Sequence, residues 1–176
     1  GVPTDGDTLA FPSGAANITN TNDLAASTTF VSLVFNGSGY TLNGNGIVLT
    51  SSLSTTVGGT TTVNLPINVG TNAVTFNAND LVLGGSLSGT GPITTSYTGG
   101  NGVRIAASGS YSGTITANGH LWFSAVSVPI AAIASGAILH LDGASLPATA
   151  VTHTGGGYAF NGYGTIGALT ASGPVF

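Results

Sequence analysis

NGVRIAASGSYSGTITANGHLWF, residues 101–123, holds three short apolar runs with very little chain between them. Val103–Ala106, Thr114–Thr116 and Leu121–Phe123 are each bounded by Gly, Ser or Asn-Gly, which are strand and turn signals. The connections are too short for a helix. The chain turns every few residues here, and the same grammar runs from about residue 30 to the end.

Moving outward, the apolar runs are FVSLVF (30–35), YTLNGNGIVLT (40–50), TTVNLPINV (61–69) and AVTFNANDLVL (73–83) before the quoted stretch. After it come VSVPIAAI (126–133), AILHLD (137–142), ATAVTHT (148–154), YAFNG (158–162) and TIGALTA (165–171). Alternation with period two marks Leu33/Phe35, Val63/Leu65/Ile67, Leu81/Leu83 and Leu139/Leu141 as half-buried strands. With 29 Gly and an abundance of Thr, Ser, Val and Asn, helix interiors are disfavoured. The single Ala-rich candidate for a helical turn, 130–137, follows Pro129 and contains Gly136.

Asn-Gly pairs begin at 36, 43, 45, 101, 118 and 161. They suit type I′ hairpins of an antiparallel sandwich, which is the alternative reading. They suit solenoid corners equally well, because crowded left-handed corners favour the same residues. Phe-Asn-Gly at Phe35 and Phe160, with Phe-Asn-Ala at Phe76, tips the choice. Phe35 and Phe76 stand about two coils of ~20 residues apart, as a repeat that buries its apolar face by stacking would place them. The expected fold is all-β, a parallel β-solenoid of roughly eight coils, about 40 Å long at ~4.8 Å per coil. Residues 30–176 form that solenoid. Residues 1–29, with Pro3, Pro12 and three of the five Asp, are expected as an N-terminal cap. Alternatively Thr8, Leu9, Ala10 and Phe11 are a donor arm that completes another subunit's sheet.

The quoted stretch resembles the autotransporter-associated β-strand repeat. The residues that carry the likeness are Gly102-Val103-Arg104-Ile105, then Ser108 through Leu121, read as apolar strand, Gly, Tyr, Ser-Gly, Thr-rich strand and Gly-x-Leu. Gly6–Pro12, Asn20–Leu24, Ser38–Leu42, Asn64–Ile67 and Gly162–Leu169 are similar to other parts of such proteins. The resemblance implies a secreted right-handed parallel β-solenoid used as a stalk or surface fibre. The chain departs from that pattern at Ala106-Ala107, and the translocator barrel that the resemblance implies is not expected here.

Composition narrows the function. Only 3% of the 176 residues are charged, with Arg104 the sole base, no Lys, no Glu and a net charge of -4. Phosphate neutralisation needs several basic side chains, so no nucleic-acid partner is expected. The 18 residues 124–141 are uncharged, but Pro129, Gly136 and several Ser break them, so no membrane insertion is expected. No Cys is present, hence no disulfide framework or thiol chemistry. The start at Gly1-Val2-Pro3 looks like a mature terminus after processing, which fits an extracellular or cell-surface location.

Catalysis in a solenoid groove needs clustered ionisable groups, and one Arg with five Asp and three His hardly supplies them. The chain is expected not to be an enzyme, with no cofactor and no metal. Asp5 and Asp7 could pair on a strand face but suit a turn better. His140 and Asp142 share a face without third or fourth metal ligands nearby in sequence. His120 and Trp122 share the opposite face from Leu121 and Phe123. If the latter pair is core, Trp122 is exposed. Trp122, Tyr111, His120 and Tyr97 are therefore the candidate contact residues, for another subunit or for a surface glycan. The expected function is a structural subunit that associates with itself into a surface fibre or filament, with a glycan-binding adhesin as the alternative.

Overall fold

The computed structural model describes residues 1–56, 58–96, 101–147, 149–154 and 160–171. They form an all-β chain of parallel strands stacked as a solenoid of about eight turns. The first coil has β1 (Asp7–Phe11) and β2 (Thr19–Asn22); β3 (Thr28–Phe35), β4 (Thr41–Gly44), β5 (Ile47–Thr55) and β6 (Thr61–Val63) follow. Then come β7 (Ile67–Asn68), β8 (Val74–Asn77), β9 (Asp80–Leu83), β10 (Leu87–Ser88), β11 (Ile93–Thr95) and β12 (Gly102–Ile105). The last coils hold β13 (Thr114–Ala117), β14 (Leu121–Ser124), β15 (Ala132–Ser135), β16 (Leu139–Leu146), β17 (Ala150–His153), β18 (Phe160–Ile166) and β19 (Leu169–Ala171).

Two sheets run the length of the stack. One has the order β1-β3-β5-β8-β11-β13-β15-β17-β19, with β7 and β10 continuing the early part of β5 along a shorter third ladder. The other reads β18-β16-β14-β12-β9-β6-β4-β2. Every pairing is parallel, which rules out the antiparallel sandwich. Register partners such as Ile115↔Ile133 and Leu9↔Leu33 set the coil length at 18 to 24 residues.

Alternation makes the core. In the first sheet Val74, Ile93, Ile115, Ile133 and Val151 are in register and all point inward. β-Branched side chains have few rotamers to lose on a pleated surface, so this column suits them. In the second sheet Leu83, Ile105, Phe123 and Leu141 make the matching column. Each such side chain contributes roughly 1.5–3 kcal/mol by leaving water. Residues between them face outward, and these set what the surface can do.

Corners explain the Asn-Gly pairs. Asn43-Gly44 closes β4, where Gly44 has φ 104° and a Cβ would collide with the Asn22 backbone one coil below. Asn64 donates to Asn43 Oδ1 at 2.8 Å, so Asn side chains also bond from coil to coil. Within residues 130–137, Ala132–Ser135 are strand rather than helix: β15 pairs with both β13 and β17. The Phe-Asn-Gly motif does not mark one column. Phe35 and Phe76 lie in the first sheet, but register puts Phe76 opposite Leu53 and Phe35 opposite Thr55; Phe160 belongs to the second sheet. Asp5 and Asp7 serve the turn. Asp7 Oδ2 accepts from Thr4 N at 2.7 Å and Asp5 Oδ1 accepts from Thr29 N at 2.6 Å.

Candidate functional site

The outward face of the second sheet gathers the ring-bearing side chains of the middle coils. Arg104 of β12, Trp122 of β14 and His140 of β16 are register partners, one per coil. The Arg104 guanidinium carbon lies 5.0 Å from the centre of the Trp122 ring. On its other side Trp122 stacks on His140, with centroids 3.5 Å apart and planes 4° from parallel. Solenoid geometry dictates this, because coils ~4.8 Å apart hold flat side chains of neighbouring strands near stacking distance.

His120 joins from the strand entry two residues before Trp122. Its ring centre is 5.3 Å from that of His140, and its Nδ1 is 3.4 Å from His140 Nε2. His140 is 5% exposed although it points outward, while His120, Arg104 and Trp122 are half-buried. Burial is the main reason the His140 pKa falls from 6.5 to about 4, with His120 and Arg104 opposing a further positive charge beside it. His140 is thus a neutral imidazole at pH 7. Trp122 Nε1, Ser124 Oγ and His140 Nδ1 are buried with no hydrogen-bond partner among the described residues.

This arrangement changes the reading of Trp122. With Leu121 and Phe123 both fully inside, Trp122 does face outward. Yet a sugar stacks on a free ring face, and Trp122 has none: Arg104 takes one and His140 the other. The cation–π contact of the ladder contributes on the order of 0.5–2 kcal/mol.

Tyr111, expected at the surface, is in the core with no measurable exposure. It sits at a corner between β12 and β13, where strand alternation does not apply. Its hydroxyl donates to the carbonyls of Gly91 at 2.9 Å and Thr114 at 2.7 Å. Burial pushes its pKa up to about 12, with a backbone hydrogen bond from Ile93 pulling the other way. Tyr40 does the same one end along, donating to the Pro12 carbonyl at 2.6 Å. Tyr97 lies outside the described residues. His153 is buried in the first sheet's inner columns opposite Ser135. Asp142 is exposed rather than buried with its neighbour His140.

The other feature is the N-terminal end of the stack. Thr8–Phe11, expected as part of a cap or donor arm, are paired within the chain: Leu9 opposes Leu33 and Phe11 opposes Phe35. β1 and β2 belong to the first coil, which runs from Asp7 to the start of β3 at Thr28. Phe11 stacks on Phe35 with centroids 4.4 Å apart and planes 10° from parallel. Beyond β1 no further strand is laid, so its outer edge is open among the described residues. There Leu9, Phe11, Leu24, Leu33 and Leu42 help line a cavity of about 420 Å³ that reaches Leu65. In sequence this end shows only as irregularity; among the described residues Leu9 and Phe11 have no strand beneath them, and Gly1, Val2 and Pro3 also line the cavity.

No protein-family model, curated protein or solved structure matches the chain.

Proposed function

We propose that this protein is a non-enzymatic, extracellular structural protein: a β-solenoid subunit that stacks end to end with further copies into a surface fibre or filament. The observation that carries the reading is the pair of complementary ends. At the N-terminal end β1 offers an unpaired parallel edge above an apolar mouth. At the other end β19 is the last strand among the described residues, with Leu169 in register with the inward Val151 and 39% exposed. A parallel stack has two different edges, and the far edge of one copy is complementary to the near edge of the next. Contacts of that head-to-tail kind generate filaments when the rotation from copy to copy does not close a ring.

Charge supports the direction. Asp5, Asp7 and Asp23 lie at the N-terminal end, whereas residues 160–171 carry no Asp, Glu, Lys, Arg or His. Two N-terminal ends repel each other; an N-terminal end and a C-terminal end do not. The resemblance to the autotransporter-associated repeat, a stalk and fibre element, is consistent with this reading.

Leu9→Asp and Leu169→Asp test it. Each puts a carboxylate on the apolar contact of one end, where desolvation without a partner is costly. In sedimentation velocity at increasing concentration, the unmodified chain is expected to form growing species while both variants stay small with unchanged β-type circular dichroism. Variants that assemble like the unmodified chain exclude the ends as the interface.

A further inference from the structure

The geometry points to a divalent transition-metal site between His120 and His140, which takes a zinc- or copper-class ion with water completing its coordination. Three observations carry it. The first is the bite: His120 Nδ1 and His140 Nε2 face each other at 3.4 Å. As a hydrogen bond this contact is long, since N–H···O bonds run about 2.7–3.2 Å. Two nitrogens bound tetrahedrally to zinc at ~2.0–2.1 Å each stand roughly 3.3–3.4 Å apart. The pair already has the separation of two ligands.

The second is preorganisation. His140 is clamped flat against Trp122 at 3.5 Å and 95% out of solvent, so little rotamer freedom is lost when it binds. The third is access. His120 is half-buried at the rim of the ladder, so an ion reaches the pair from solvent and keeps water on its open positions.

Protons balance without release. When His120 carries its proton on Nε2 and His140 on Nδ1, both facing nitrogens present lone pairs, and the ion takes the place between them. Imidazole nitrogen suits Zn²⁺, Cu²⁺ and Ni²⁺, with Cu²⁺ bound most tightly. Two protein ligands and no carboxylate behind His140 Nδ1 make this a modest site, one that loads when the ion is supplied.

Calorimetric titration of the full chain with ZnCl₂ tests the proposal. One equivalent is expected to bind, and His120→Ala is expected to weaken it more than tenfold, since changes behind a ligand alone cost about 10- to 100-fold. Asp23→Asn, at the far N-terminal end, is expected to bind as the unmodified chain does. No heat of binding, or full affinity in His120→Ala, overturns the site. Independently of any variant, Cu²⁺ added to the unmodified chain should show electron paramagnetic resonance splitting from two nitrogens; a spectrum with no nitrogen splitting overturns it too.

Discussion

Gly102 opens β12 with φ 70°, and a Cβ there would collide with the His120 carbonyl one coil along. Both the left-handed backbone and the close approach require glycine. Gly102→Ala is expected to destabilise the fold by about 2–4 kcal/mol, measurable by urea denaturation. His140 gives a second prediction. Its folded pKa, about 4, lies below the ordinary 6.5 of an unfolded chain, so the unfolded state binds the proton first. The stability that neutral His140 allows is present above pH 6.5 and is lost as pH falls through the window from about 6.5 to about 4. Trp122→Ala opens the stack to water and moves the His140 pKa back up, which the pH dependence of its imidazole NMR signals reports. An unmoved signal would show that Trp122 does not shield the ring. Sequence reasoning placed His120 and Trp122 on one face correctly, because two-residue alternation is local. It missed that His140 covers Trp122, since that contact depends on a coil of 18 residues, whereas coils elsewhere reach 24.

At the scale of strands, register is the testable quantity. Thr94 and Thr116 are outward partners on β11 and β13, about 4.8 Å apart if the ladder is parallel. The chain has no Cys, so the doubly substituted Thr94→Cys/Thr116→Cys chain carries only the designed pair. Its Cα atoms fall in the range a disulfide spans, ~4.4–6.8 Å, and mild oxidation is expected to close it. Thr94→Cys/Asn118→Cys, displaced two residues along the strand, should remain reduced. Closure of the second pair and not the first would mean the ladder has slipped. Most strands were legible as apolar runs; β2 (TNTN), β10 (LS) and β11 (ITT) were not, because β2 has no apolar residue and β10 and β11 have one each, Leu87 and Ile93, too few to show alternation. Tyr111 was misread for a related reason: alternation predicts facing only within a strand, and this residue lies at a corner whose hydrogen bonds to Gly91 and Thr114 draw it inside.

Over the whole molecule, one cluster of buried apolar side chains runs from Phe30 to Val151, with a cavity at its N-terminal end. Strand repetition and scarce charge made the solenoid legible, since few other folds satisfy short strands with so few helix formers. The open end was not legible, because an exposed edge is defined by the strand that is missing. The account rests on that edge being filled by a second copy. Electron microscopy of the purified chain over a rising concentration series tests it most directly. The expected result is rods that lengthen from about 40 Å in steps of one subunit, with a ~4.8 Å repeat along their axis. Particles that stay single and short at every concentration would contradict it.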